Sequence, residues 1–153
     1  PSVLIEDAAK YFQLKQSSPY MLLTCEIDDK LKEDLPPNYY ELDLKDRLYQ
    51  VRSEFQSITH LDFSARVQTV SKDQNKVYWE LLQEMKKQSG AGMLVNTSFN
   101  VRGEPIVNTP LDAYRCFMNT DMDILVMNNF IFIKEIQPDW ENKSKWNQQF
   151  KKD

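Results

Sequence analysis

Met93-Leu94-Val95-Asn96-Thr97-Ser98-Phe99-Asn100-Val101-Arg102-Gly103-Glu104-Pro105 is the stretch from which the fold of this chain is best judged. Its first three residues are an apolar run, which predicts a short strand, and the rest is a polar loop. A helix is expected next, because Thr109 suits an N-cap and Pro110 the first helical position. We place the end of that helix near Asn119. Strand, loop and helix in succession favour a fold that mixes both element types.

The segments on either side continue this alternation. Residues 65–70 predict a strand, followed by a helix from an Asp73 cap to about Ser89, with Gly90 at the left-handed position after it. That helix carries an apolar stripe at the spacing that faces a core, formed by Tyr78, Leu81, Leu82 and Met85. Downstream, residues 123–127 and 130–134 are apolar runs joined by Asn128-Asn129, which predicts a hairpin.

The amino-terminal half is less regular. Residues 3–12 have near-helical apolar spacing and predict a short helix, and residues 20–27 predict a strand. Residues 28–57 are dense in charge and interrupted by Pro36-Pro37, so we expect a surface insert with short helical pieces around 43–53 and no chemistry of its own. We predict an α/β (α+β) domain over residues 1–136, built on a twisted, mixed, open sheet with flanking helices, and a polar tail over 137–153.

Composition narrows the function classes. The chain has 153 residues with 41% hydrophobic and 27% charged side chains, which is typical of a globular domain. The formal net charge of −4 disfavours nucleic acid as a partner. A lone histidine, His60, and two distant cysteines offer no metal-ligand cluster, so no metal site is predicted and the thiols are expected to be buried and reduced.

Targeting signals are absent from the printed sequence. No apolar run reaches the roughly 20 residues of a membrane span, and no signal peptide is visible, so we expect a cytoplasmic location and no membrane partner. The first residues, Pro1-Ser2-Val3-Leu4, include no initiator Met. We therefore expect the chain to be cut from a longer protein.

The polar loop after residues 93–95 carries the strongest chemical signal. It supplies hydroxyl, amide and guanidinium groups from Asn96, Ser98, Asn100 and Arg102, which are groups that bind phosphate or carboxylate. Loops at the ends of strands form ligand sites in open α/β sheets. The alternative is a turn whose Asn and Ser side chains satisfy their own backbone, an alternative that applies most to Asn100 and Thr97.

Residues 59–69 are a second candidate segment. Arg66 begins a strand, and Gln68 is expected to face the same side, which indicates either an edge strand or the wall of a ligand site. For His60, a half-buried structural histidine is favoured over a functional one. A Ser/His/Asp triad is not proposed from spacing alone, and no catalytic nucleophile is assigned.

At these residues the chain resembles a known family. The blocks that carry the resemblance are PSVLIEDAAKYF (1–12), SPYML (18–22), THLDFSARVQTV (59–70), GMLVNTSFNVRGEPIVNTPLDAYRCF (92–117) and DILVMNNFIFIK (123–134). They are similar to the C-terminal region of nodulation and antibiotic-tailoring O-carbamoyltransferases. The similarity covers nearly the whole chain apart from the charged insert and the tail.

The resemblance implies a function as one part of a larger enzyme. Such enzymes combine an actin-like module, in which iron or another metal is expected, with a module that resembles the threonylcarbamoyl-adenylate synthase fold. The second module takes carbamoyl phosphate and ATP with Mg²⁺ and forms carbamoyl-adenylate, and the first passes the carbamoyl group to an acceptor hydroxyl. This chain would be most of the second module, with the missing actin-like module as its partner, and inactive alone.

Site residues follow from the matching blocks. The resemblance assigns Arg66, Asn96 and Ser98 to carbamoyl phosphate or carbamoyl-adenylate. Asn100 is a weaker candidate from the same motif, Arg102 suits phosphate by its chemistry, and His60 of the second segment is a further weak candidate. Arg66 would offset phosphate charge while Asn96 and Ser98 fix the carbamoyl group, so that catalysis would come from positioning and charge stabilisation.

Two departures from the family pattern bear on this site. The family carries a basic stretch that runs directly into PSVL, whereas this sequence begins at PSVL, so we expect an incomplete anion pocket. Phe63 stands where the family usually has Gly, which is expected to fill part of the pocket or to reshape the turn.

Two other functions stay open at this point. One is a non-catalytic binding module of the same fold, regulatory or RNA-binding, although the acidic balance weighs against RNA. The other is an interaction domain whose polar loop only satisfies itself.

Overall fold

A computed structural model describes residues 1–140, and residues 141–153, which hold most of the predicted polar tail, lie outside the described part. The chain forms two compact units. The first runs from Pro1 to Asn96 and the second begins at Thr97. Each unit has its own buried cluster of apolar side chains.

The first unit is built on an open, mixed, four-stranded sheet. Its strands are β1 (Ser2–Leu4), β2 (Leu23–Glu26), β3 (Ser64–Val70) and β4 (Met93–Leu94), in the order β2-β3-β1-β4. β1 pairs parallel with β3 and antiparallel with β4, while β2 pairs antiparallel with β3. The predicted mixed open sheet is confirmed.

The predicted helix over residues 3–12 is wrong at its start. Ser2–Leu4 is a strand of the sheet, a 3₁₀ turn covers Ile5–Asp7, and only Ala8–Tyr11 forms a helix, α1. Apolar spacing alone does not separate a short helix from a buried strand, and pairing with two neighbouring strands decides in favour of the strand here.

Side chains of β3 alternate between the two faces of this sheet. On one face Val70, with Leu4 of β1, packs against Leu82 of α3 (Lys76–Ser89). On the other face Ala65 and Val67 join a larger cluster. Both faces of the sheet therefore pack against other parts of the unit at these positions, although Arg66 of β3 stays exposed.

Helix α3 begins later than predicted. The Asn75 side chain, not that of Asp73, accepts a hydrogen bond from the Tyr78 amide and caps the helix. Asp and Asn are both good N-cap residues, so the sequence alone does not show whether Asp73 or Asn75 caps the helix. Gly90 has φ of +84° and ends the helix in the left-handed conformation, as predicted.

The charged insert is more ordered than its composition indicates. It contains a short helix, α2 (Leu44–Tyr49), inside the predicted range 43–53, together with 3₁₀ turns at Asp29–Leu31, Tyr39–Glu41 and Gln56–Ile58. Tyr39 and Arg52 are almost fully buried. The Arg52 guanidinium donates to the carbonyl oxygens of four residues, Arg47, Leu48, Gln50 and Thr59, and these bonds hold the insert together.

The second unit consists of a helix and a hairpin. Helix α4 (Pro110–Asn119) begins with a capping box between Thr109 and Asp112, as the Thr109-Pro110 pair predicts. Strands β5 (Ile124–Met127) and β6 (Phe130–Ile133) pair antiparallel, which confirms the hairpin. Asn128 takes φ of +52° at the turn. Trp140, at the start of the tail, packs against Tyr114 of α4 with ring centroids 5.8 Å apart.

No helix within residues 1–140 is long and apolar enough to cross a bilayer.

Candidate functional site

The polar part of the first unit lies on the α3 face of the sheet. Along β3, Arg66 and Gln68 alternate with the buried side chains of Ala65, Val67 and Thr69, so the two polar residues share the face on which Val70 meets α3. This confirms the expectation that Arg66 and Gln68 face the same side. It also shows that β3 is an inner strand, between β2 and β1.

Arg66 is exposed, and its guanidinium has no partner among residues 1–140. Within residues 1–140 its side chain makes no hydrogen bond and no ion pair. The backbone of Pro1 lies beside this strand, because its carbonyl oxygen accepts a hydrogen bond from the Gln68 amide at 2.8 Å. An exposed guanidinium that no carboxylate neutralises favours an anion.

A pocket of about 350 Å³ opens beside this patch. It lies between the end of β3 and the start of α3, and Gln68 is one of its walls. Amides from Gln74 and Asn75 and the aromatic rings of Tyr20 and Tyr78 line it as well. This volume lies at the low end of the range for ligand sites.

Asn96, just past β4, belongs to the same patch. Its Nδ2 donates to Gln68 Oε1 over 2.7 Å. The structure therefore brings Arg66 and Asn96 to one region, because both are neighbours of Gln68. Gln68 itself was given no role from sequence, and the only indication for it was its shared face with Arg66.

His60 and Asp62 form a tight turn before β3. His60 Nδ1 lies 2.9 Å from Ser64 Oγ, and Asp62 Oδ1 accepts from the Ser64 amide at 3.0 Å. The pKa of Asp62 is lowered, chiefly by a hydrogen bond from the Ser64 side chain. These groups are occupied with one another, so they stabilise the turn. His60 is exposed, so the prediction of a half-buried histidine is wrong, although its ring nitrogen does have a partner.

Phe63 occupies the left-handed position of that turn, with φ of +61°. A residue with a Cβ is disfavoured there by about 1–2 kcal/mol, which explains why glycine suits the position. The Phe63 ring packs against the first core cluster, and Lys32 Nζ lies 5.5 Å from its centroid. Phe63 therefore keeps the glycine-like backbone and does not line the 350 Å³ pocket.

The other predicted site residues, Ser98, Asn100 and Arg102, lie in the second unit. Asn100 is used by its own loop: its Nδ2 donates to Glu104 O at 2.8 Å, and Glu104 Oε2 accepts from the Val101 amide at 3.1 Å. Gly103 has φ of +84° at this turn. Asn100 therefore hydrogen-bonds the backbone of its own turn, which is the alternative to a ligand-binding role. Ser98 and Arg102 are exposed, with no hydrogen bond from their side chains to other residues of the described part.

Both thiols have a raised pKa, chiefly through burial. Both cysteines are free, with Cys116 buried in α4 and Cys25 half-buried in β2. Burial, followed by the charge of Glu104 and a hydrogen bond to it, raises the pKa of Cys116 to about 11. A thiol with such a pKa is a poor nucleophile near neutral pH. Among residues 1–140 there is also no group of three His, Cys, Asp or Glu side chains arranged to hold a metal ion.

Comparison with known proteins assigns this geometry to a family. The carbamoyltransferase C-terminus family matches residues 1–134. The chain belongs to the carbamoyltransferase C-terminus family. Both the Arg66 strand and the Asn96 loop fall inside the matched range, as does the hairpin of the second unit.

Several relatives are similar to this carbamoyltransferase C-terminal chain. An uncharacterised protein of Synechocystis is 48% identical over the whole chain, which spans 25% of that protein. The nodulation protein NolNO of Sinorhizobium fredii is 34% identical over 88% of the chain and 17% of its own length. The 3′-hydroxymethylcephem-O-carbamoyltransferase of Streptomyces clavuligerus is 37% identical over 82% of the chain and 20% of its own length. The chain spans a quarter or less of these relatives.

Proposed function

We propose that this chain is the part of an ATP-dependent O-carbamoyltransferase that holds carbamoyl phosphate and the carbamoyl-adenylate formed from it. The observation that carries the proposal is the exposed Arg66 guanidinium, which has no partner among residues 1–140 and shares a sheet face with Asn96 and with Gln68, a wall of the 350 Å³ pocket. Homology to carbamoyltransferases supports the substrate class.

Each group has a distinct role in this proposal. Arg66 takes the phosphate, because a guanidinium forms paired, charge-assisted bonds to phosphate oxygens. Asn96 contacts the carbamoyl group, and Ser98, two residues further along the chain, is proposed as a second contact. Acceleration then comes from orienting the reacting groups and offsetting their charge, without a covalent enzyme intermediate.

The 350 Å³ pocket is our candidate for the nucleotide part of the adenylate. Tyr20 and Tyr78 offer apolar ring surface to a base, while Gln74 and Asn75 offer amide groups to its edge. ATP would bring Mg²⁺, which is usually bound through phosphate oxygens and water with only one or two carboxylates. Likeness of the first unit to the threonylcarbamoyl-adenylate synthase fold is part of the same proposal.

Transfer of the carbamoyl group to the acceptor is proposed to require a second module besides this chain. In this proposal an actin-like module, with its own metal, receives the carbamoyl group and passes it to an acceptor hydroxyl. Pro1 lies beside β3, since its carbonyl oxygen accepts from the Gln68 amide at 2.8 Å, so residues that precede Pro1 in a longer protein would enter beside the proposed anion site. A basic stretch at that place would complete the phosphate pocket.

Titration calorimetry of carbamoyl phosphate, with and without Mg-ATP, tests the proposal. The titrations use this chain and a form extended to the start of its natural reading frame. We expect tight binding by the extended form and a loss of about ten- to a hundredfold in Arg66→Ala, since a charge-assisted bond is removed. Arg115→Ala, an exposed arginine of α4, is the matched control and should bind normally.

Failure of the folded, extended protein to bind either ligand would overturn the proposal. The binding-module or interaction-domain alternatives would then be favoured.

A further inference from the structure

The Gln68 side-chain amide is hydrogen-bonded at both ends. Its Oε1 accepts from Ser2 Oγ at 2.6 Å and from Asn96 Nδ2 at 2.7 Å. Its Nε2 donates to the carbonyl oxygen of Pro19 at 3.0 Å. We call Pro19, Gln68 and Asn96 the amide relay, because each member sets the donor or acceptor that the next must present.

Pro19 sets the direction of the relay. A backbone carbonyl only accepts, so the NH₂ end of Gln68 must point towards it and the oxygen end must point towards Asn96. The position of Pro19 is itself held by its neighbour Ser18. The Ser18 amide donates to Thr69 Oγ1, its hydroxyl donates to Val67 O, and its carbonyl accepts from the Thr69 amide, over 2.8 to 2.9 Å.

Asn96 is therefore held in one of its two amide orientations. It must present Nδ2 to Gln68, because an oxygen at that place would face Gln68 Oε1 and repel it. Its own carbonyl oxygen then points elsewhere. That oxygen accepts no hydrogen bond from residues 1–140, and Asn96 is exposed. The relay thus offers a fixed, unoccupied acceptor on the surface that carries Arg66.

Because Asn96 presents an oxygen on this surface, it can bind only a ligand group that donates a hydrogen bond. A fully ionised phosphate group and a carbonyl oxygen only accept, so neither suits the Asn96 oxygen. The carbamoyl amino group donates. We propose that Asn96 Oδ1 binds the carbamoyl amino group, and that Gln68 is the positioning residue that fixes the Asn96 amide for this contact. This inference rests on the proposed function and adds to it the means by which a carbamoyl group is distinguished from an acyl group.

Acetyl phosphate is the probe that isolates this contact. It keeps the phosphate and the carbonyl of carbamoyl phosphate and has a methyl group where the amino group was. Loss of one hydrogen bond, with an acceptor left unpaired, weakens binding by about fivefold or more. A purely structural defect lowers the affinity for both ligands alike, whereas loss of the amino-group contact changes their ratio.

The experiment measures both affinities by calorimetry in the protein expressed from its complete natural reading frame. Wild type should prefer carbamoyl phosphate by about fivefold or more. Gln68→Met, similar in length and without hydrogen-bonding groups, and Asn96→Ala should each bring the ratio close to one. Gln88→Met, on the exposed side of α3, is the control for the substitution itself.

Each result decides one question. If Gln68→Met weakens both ligands and leaves their ratio as in wild type, Gln68 does not position Asn96 for the amino group. If Asn96→Ala keeps the ratio, Asn96 does not bind that group. If the wild-type protein binds neither carbamoyl phosphate nor acetyl phosphate, the proposed function fails and this inference fails with it. The same holds if Arg66→Ala binds carbamoyl phosphate as well as wild type does. Far-UV circular dichroism and the melting temperature of each variant exclude misfolding as the cause.

Discussion

Asp7 is a nearly buried carboxylate that connects the amino-terminal turn to α3. Its Oδ1 lies 2.6 Å from Lys10 Nζ and its Oδ2 lies 2.6 Å from Lys86 Nζ. Burial raises the pKa of Asp7, but the hydrogen bonds and charges of Lys10 and Lys86 outweigh it, so the net pKa lies below its ordinary value. Asp7 therefore stabilises the folded state in its ionised form.

This predicts a specific loss of stability in acid. Because the folded-state pKa is the lower one, the contribution is complete above the unfolded pKa, near 4, and disappears as the pH falls through the folded value. Asp7→Asn should lower the free energy of unfolding by about 2 kcal/mol at pH 7 and flatten its pH dependence below pH 4. Urea denaturation between pH 3 and pH 7 measures both effects.

Glu84 provides the matched control. It pairs with Lys87 at 2.9 Å on the exposed surface of α3, where an ion pair contributes little. Glu84→Gln should leave the free energy of unfolding almost unchanged. An equal effect of the two substitutions would show that Asp7 contributes no more than a surface pair.

At the scale of elements, the hairpin of the second unit has one covered and one open face. Leu125 and Phe132, which pair across the strands, lie in the cluster beneath α4. The opposite face is apolar but exposed, and it is formed by Ile124, Val126, Ile131 and Ile133. The apolar composition of both strands thus does not reveal which face is the core.

Substitutions at neighbouring positions of β5 test this assignment. Leu125 is 6% exposed and Val126 is 61% exposed. Leu125→Ala should cost about 2–4 kcal/mol through the cavity it leaves, whereas Val126→Ala should cost less than about 1 kcal/mol. Urea unfolding monitored by tryptophan fluorescence measures both. The opposite order of costs would mean that the hairpin is placed with the wrong face inwards.

For the whole molecule, the first unit has the parts of an independent domain. It holds its own four-stranded sheet and two clusters of buried side chains on the two faces of that sheet. Gly92 leads into β4 so close to β1 that a Cβ there would lie 2.6 Å from Leu4 Cδ1. β4 is therefore an integral part of this unit.

We predict that residues 1–96 fold without the rest of the chain. Their thermal unfolding should be cooperative and their near-UV circular dichroism should show fixed aromatic side chains. A fragment that ends at Gly90 lacks β4 and its buried Met93, so its melting temperature should fall by several degrees. Non-cooperative melting of residues 1–96 would show that this unit depends on the second.

Short-range sequence patterns were enough to predict the ends of several elements. The Thr109-Pro110 start of α4, the Gly90 end of α3 and the Asn128-Asn129 turn all depend on residues within a few positions of one another. Capping, left-handed φ and turn preference act at that range, so they can be read without tertiary structure. The family resemblance of residues 1–134 was likewise contained in the sequence.

Only the tertiary structure decided what depends on distant residues. Ser2–Leu4 became a strand because β3 and β4, more than 60 positions away, supply its hydrogen-bonding partners. Arg52 was buried because carbonyl oxygens of the insert converge on it. Gln68 became the centre of the amide relay because the fold brings Ser2, Pro19 and Asn96 to it. No spacing in the sequence records such contacts, since they arise only when separate segments pack together.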